Sequence, residues 1–248
     1  MLYSFVWFGA SLVALVFAQR WMHFNLQKFL LLLFRNTKAS FFIYAMVLLP
    51  GVMLHELSHW LAARLLGVRT RSFSLFPQLR QDGSIRFGSV ETDRTDPVRS
   101  ALIGVAPLVS GAVLLSTLVF RNLGLASLLR GFDHYDIGVL AHLWDSLRAT
   151  PDLAIWIYLA IAVSNTMLPS ASDRSAWVPV GLMIGVVAVA VALLGLGPQA
   201  AALISTPLEQ LLRSLAGLFT LTAALDLLLI VPLWIVQRIV EWIVSPFT

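Results

Sequence analysis

The chain has no cysteine, so neither a disulfide framework nor a thiolate metal site is open to it. Any metal must be held by histidine and carboxylate. Charge is also scarce. Only 12% of the 248 residues are Asp, Glu, Lys or Arg, about half the share usual in a globular domain, while 58% are hydrophobic. So few charges cannot cover a water-exposed surface, whereas a lipid-facing surface needs none. A basic stripe is missing as well. The net charge is +4, but Lys and Arg are scattered over several loops, so no nucleic-acid partner is expected. Basic loops facing the anionic headgroups of a lipid bilayer are the simpler reading. No Lys or Arg precedes Arg20, so the first apolar stretch lacks the basic start of a cleaved signal peptide and reads as an anchor.

What the chain has in abundance is apolar runs. A spanning helix needs about 20 mostly apolar residues. The first expected span is 2–18, followed by a mixed stretch, 20–38, expected to lie in the headgroup plane. The second is 41–66, stopped at Gly67. Alternation then replaces helical patterning: Phe73 and Leu75 alternate with Arg71, Ser72 and Ser74, and Ile85 and Phe87 flank Arg86 after a turn signal at 81–84. This predicts a short β-hairpin. Further spans are expected at 98–120, 153–168, 177–196 and 215–236, with a polar, interfacial 121–150. The expectation is an all-α integral membrane protein of about six transmembrane helices, with a short β-hairpin between the second and third. It divides into an N-terminal helix and interfacial segment (1–38), a core (39–176) and C-terminal helices (177–248).

One motif carries chemistry. His55-Glu56-Leu57-Ser58-His59 lies inside the second expected span. In a helix, His-Glu-x-x-His sets two imidazoles one turn apart on one face, so both can bind one Zn²⁺. The adjacent Glu56 can then deprotonate a water whose pKa the metal lowers from 15.7 towards about 7. Ionisable groups at this depth are costly and mark function. A catalytic zinc usually takes a third protein ligand. Asp173, just past the end of the fourth expected span, returns to the side of the membrane where the histidines lie. Asp133, His134, Asp136, His142 and Asp145 fall on the opposite side and read as the wet face of an interfacial helix.

The order of these features resembles the site-2 proteases, a family of intramembrane zinc metalloproteases, over about residues 41–174. Gly67-Val68 leading to Phe73-Ser74-Leu75 is similar to the family's segment after its catalytic helix. Ala106-Pro107-Leu108-Val109-Ser110-Gly111 looks like its next helix. Asn165-Thr166-Met167-Leu168-Pro169 ending in Ser172-Asp173 is similar to its Asn-x-x-Pro…Leu-Asp-Gly segment, with Pro169 one position late and Arg174 in place of glycine. No inserted PDZ domain is present in the pattern. The resemblance implies His55, His59 and Asp173 as zinc ligands, Glu56 as general base and Asn165 near the scissile peptide. It also implies a hairpin edge that receives an unwound substrate strand. The expected place is a multi-pass protein of a bacterial cytoplasmic membrane.

Other polar residues read more plainly. Asp226, in the last apolar run, is expected to be a buried carboxylate hydrogen-bonded within the bundle. His23 is expected at the interface, and Trp21, Trp144, Trp177 and Trp242 in aromatic belts. Lys and Arg are shared equally between the two sets of loops, so charge does not orient the chain. The leading functional expectation is a zinc endopeptidase acting on membrane protein substrates. The alternatives are a non-proteolytic subunit or scaffold whose partner subunits complete a larger membrane complex, and, more weakly, a metal or proton carrier.

Overall fold

Long apolar runs favour helix, and the protein is helical over most of its length. The computed structural model describes residues 1–79, 85–123, 144–145 and 147–244. Helix α1 covers Leu2–Phe34, α2 Thr37–Val47 and α3 Leu49–Leu65. Four short strands follow: β1 (Thr70–Ser74), β2 (Gln78–Leu79), β3 (Ile85–Arg86) and β4 (Ser89–Thr92). Then come α4 (Pro97–Ser116), which continues as π-helix over Thr117–Asn122, α5 (Leu153–Ser164), α6 (Trp177–Leu193) and α7 (Gly197–Val244).

Three of these helices, α1, α4 with its π-helical extension and α7, are long and apolar enough to cross a membrane, or four if α2 and α3 together make one span. This is compatible with a membrane protein. It falls short of the six expected spans for a geometric reason. Helix α5 has 12 residues and α6 has 17, which at 1.5 Å per residue is about 18 and 26 Å against a hydrocarbon core of about 30 Å. The apolar run of 153–168 outlasts its helix, because the backbone leaves helical geometry after Ser164.

Two other boundaries differ from expectation. Most of the stretch expected in the headgroup plane is the second half of α1, which ends only where Arg35 adopts a left-handed conformation (φ 49°). Its inward stripe is made of Ser4, Ser11, Ala18 and Asn25, each seven residues after the last. Small residues at that spacing let two helix backbones approach closely. The partner is α7: Ser4 bonds Glu209, Phe8 packs on Phe219 with ring centroids 5.8 Å apart, and Lys28 pairs with Glu241 at 2.8 Å. The two helices therefore run parallel.

The second difference is a bend of 68° between α2 and α3 within the expected span 41–66. Pro50, at the start of α3, has no N–H to continue the ladder of α2. Helix α3 then ends at Gly67 as expected, with φ 72°.

The expected hairpin is present. Strands β1 and β4 pair antiparallel with Phe73 opposite Val90, and β2 pairs with β3. The turn expected at 81–84 lies outside the described residues. Aromatic contacts tie the hairpin to the helices: Phe73 stacks on Trp60 of α3 at 5.7 Å, and Phe87 meets Tyr44 of α2 edge-on at 5.4 Å. The main apolar core, with Leu15, Leu115, Val119, Val163 and Phe219, lies between α1, α4, α5 and α7.

Candidate metal centre

Helix α3 places His55 and His59 one turn apart, with ring centroids 4.7 Å apart. Each ring is fixed by its far nitrogen. His55 Nδ1 lies 2.7 Å from the Thr166 carbonyl oxygen, and His59 Nδ1 lies 2.8 Å from that of Ile103. A carbonyl oxygen can only accept, so each Nδ1 carries a proton, and in the neutral ring each Nε2 offers a lone pair. Those Nε2 atoms are 3.1 Å apart. Asp173 completes the group, with Oδ1 3.2 Å from His59 Nε2 and Oδ2 3.7 Å from His55 Nε2. Three lone-pair donors thus face one another, and their side chains are between 9% and 15% exposed. Ligand atoms on a tetrahedral Zn²⁺ would stand about 3.3 Å apart, given Zn–N near 2.0–2.1 Å. The donor set, the spacing and the tautomers all fit a cation held by His55, His59 and Asp173.

Asp173 reaches this point because α5 stops early. The polar run that follows makes a tight turn: Ser170 N–H donates to Asp173 Oδ2 at 2.7 Å, and Asp173 N–H donates to Ser170 Oγ at 3.3 Å. Ser170 therefore builds the turn that holds the carboxylate. The turn rests on α4 at Gly104, where a Cβ would overlap the Asp173 carbonyl oxygen. Packing of α3 on α5 is just as close, since a Cβ on Gly51 would meet the Ala162 carbonyl and the Thr166 hydroxyl. Between α3 and α4, the Ser58 and Ser110 hydroxyls bond at 2.5 Å.

Glu56 lines a cavity of about 350 Å³ together with His55, Val52, Phe87 and Gly88. The strand junction at Gly88 lies directly against the Glu56 side chain, because a Cβ there would overlap it. Asn165, Thr166 and Ser170 also line the cavity.

Asn165 also borders the cavity, but its amide nitrogen donates to Asp226 Oδ1 and to the Ile161 carbonyl, both at 3.0 Å. Asp226 is fully buried and accepts from Ser164 and Asn165, as expected of a carboxylate hydrogen-bonded in the bundle. The arginines on either side of it along α7 pair with glutamates, Arg213 with Glu209 and Arg238 with Glu241.

His23, expected at the interface, is turned toward the bundle. It lines the same cavity, with Nδ1 2.6 Å from the Tyr44 hydroxyl and Nε2 3.1 Å from the Asn165 carbonyl. Sequence reasoning missed it, although a signal existed: Gln19, His23 and Gln27 recur every four residues in an otherwise apolar helix. Asp133, His134, Asp136 and His142 lie outside the described residues. Asp145 is exposed, and among the described residues no second convergence of three His, Asp or Glu groups occurs. Comparisons with family models, with curated proteins and with solved structures found no match for this chain.

Proposed function

We propose that this chain is an intramembrane zinc metalloprotease that hydrolyses peptide bonds in membrane-anchored protein substrates, as a multi-pass protein of a bacterial cytoplasmic membrane. The observation that carries the reading is the convergence of two bare imidazole nitrogens and a carboxylate beside a cavity that Glu56 borders. With neutral rings, three lone pairs aimed at one point repel one another, and a bound cation would relieve that repulsion. Two histidines and one carboxylate are a catalytic zinc ligand set, which leaves a fourth position for water or substrate.

Zinc bound there would polarise the scissile carbonyl and make hydroxide accessible at neutral pH. The protein's own residues do the rest. His55 and His59 hold the metal in fixed tautomers, and Asp173 supplies negative charge. Glu56 takes a proton from the attacking water and returns it to the departing amine nitrogen. The hairpin junction at Gly88 brings strand backbone against Glu56, which suits a substrate held as an added strand, because a helical peptide bond must unwind before attack. Asn165 is assigned to the substrate's carbonyl oxygen, a role in which its amide exchanges Asp226 for substrate.

The test uses purified full-length protein reconstituted with a single-span membrane protein substrate. Metal analysis should find one zinc per chain, and Glu56→Gln should keep the zinc and abolish cleavage. Cleavage at the wild-type rate by Glu56→Gln would remove Glu56 as base and the reading with it. A scaffold that only retains a metal site would show no cleavage with either protein.

A further inference from the structure

The last carbonyls of a helix have no partner within it, and in an apolar bundle no water replaces that partner. Helix α5 ends in this situation at Ser164. Three consecutive carbonyls beyond its last turn are met by side chains from two other helices. Gln19 Nε2 donates to the Ser164 oxygen at 2.5 Å, His23 Nε2 lies 3.1 Å from the Asn165 oxygen, and His55 Nδ1 lies 2.7 Å from the Thr166 oxygen. The first two donors come from α1 and the third is the proposed metal ligand itself.

The tautomer of His23 follows from its partners. The Asn165 oxygen only accepts, so His23 donates from Nε2, and its Nδ1 accepts from the Tyr44 hydroxyl at 2.6 Å. Gln19 and His23, one turn apart, therefore form one polar ladder on α1. Its rungs grip the end of α5 and, through Tyr44, the end of α2.

We propose that Gln19 and His23 are positioning residues for the metal centre. They fix the strip of carbonyls from which His55 takes its ring orientation, so that α1, which supplies no ligand, sets the metal affinity of a site built on α3 and the Asp173 turn. The inference rests on the metal reading above. Partners beyond the ligands act on affinity in this way because a ligand nitrogen must point at the metal before it binds, and loss of such a partner typically costs 10–100-fold.

The experiment measures Zn²⁺ affinity of full-length protein in detergent by chelator competition, with the visible bands of bound Co²⁺ as a second readout of ligand geometry. His23→Phe keeps the ring volume and removes both polar nitrogens, and Gln19→Leu removes the first rung. Each should weaken Zn²⁺ binding about tenfold or more and alter the Co²⁺ bands, with helical circular dichroism retained. His23→Gln, which still offers an N–H to the Asn165 carbonyl, should restore affinity to within about threefold of wild type, short of the 10–100-fold loss. Wild-type affinity in both His23→Phe and Gln19→Leu would overturn the proposal, and so would a His23→Gln protein as weak as His23→Phe. His55→Ala separates the two levels of argument. If wild type binds Zn²⁺ no better than His55→Ala, the metal reading itself fails and the positioning role falls with it.

Discussion

His59 Nδ1 stands 2.8 Å from the Ile103 carbonyl oxygen, a contact from α3 to α4 that decides which nitrogen of His59 is free. With the proton held there, Nε2 is left to face His55 and Asp173. The same relation, made by His55 with Thr166, ties the other imidazole to the end of α5. Contacts from α4 and from the segment after α5 thus fix which nitrogen of each ring faces the site, and the consequences can be measured.

Metal should stabilise the fold through these residues. Zn²⁺ at 100 times its dissociation constant should raise the unfolding free energy of wild type by about 2.7 kcal/mol. The same addition should leave His59→Ala and Asp173→Ala almost unchanged. Thermal unfolding in detergent, with and without added Zn²⁺, checks this. An equal shift in all three proteins would place the metal elsewhere.

Gly104 should tolerate no side chain. A Cβ there overlaps the Asp173 carbonyl, so Gly104→Val must push the turn and its carboxylate away from the histidines. Overpacking of this kind costs about 1–3 kcal/mol. The loss of zinc should exceed what that destabilisation alone explains, and Gly104→Ala should lie between. Zinc content per folded chain is the quantity to follow, and full occupancy in Gly104→Val would refute the placement of Asp173.

The buried pair Asp226 and Asn165 offers a different experiment. Asp226→Leu removes the acceptor for the Ser164 hydroxyl and the Asn165 amide, and each buried donor left without an acceptor costs about 1–3 kcal/mol. Asp226→Asn keeps an acceptor oxygen and should cost less. Denaturation midpoints of the three proteins should fall in the order wild type, Asp226→Asn, Asp226→Leu.

Acid should act at the start of α4. Asp96 caps that helix by accepting from Arg99 N–H at 3.0 Å, and this bond, with the Arg99 charge nearby, holds its carboxyl below the usual range despite an opposing desolvation effect. A carboxylate with a depressed folded-state pKa contributes stability that is complete above its unfolded value of about 3.9 and is lost as pH falls through the folded value. Asp96→Asn keeps a capping oxygen that does not titrate. The difference in thermal midpoint between wild type and Asp96→Asn should be flat above about pH 5 and should move against wild type below about pH 4. A pH-independent difference would show that the cap does not depend on charge.

Much of the site was legible because its signals are local. Histidines spaced four apart need only a helix to converge, Gly67 needs only its freedom to take φ 72°, and alternation around Phe73 and Phe87 needs only a pleat. The bend at Leu48 was hidden because residues on both sides of it are equally apolar, and hydropathy registers lipid compatibility rather than direction. The end of α5 was hidden for a related reason. Met167 and Leu168 prolong the apolar run, yet the helix has already ended before them, and the carbonyls of Ser164, Asn165 and Thr166 face Gln19, His23 and His55. In α1, Lys28 and Arg35 suggested a headgroup location and drew attention from the inward face, where Asn25 is buried and Gln19 and His23 reach the centre.

The parallel packing of α1 and α7 fixes a parity. A chain that threads a sheet of lipid reverses direction at every crossing, so two crossings that point the same way are separated by an odd number of others. Helices α1 and α7 are each long and apolar enough to cross, and α4, which lies between them in the chain and is so too, would supply the return. The two ion pairs, Met1 with Glu209 and Lys28 with Glu241, close opposite ends of this parallel helix pair.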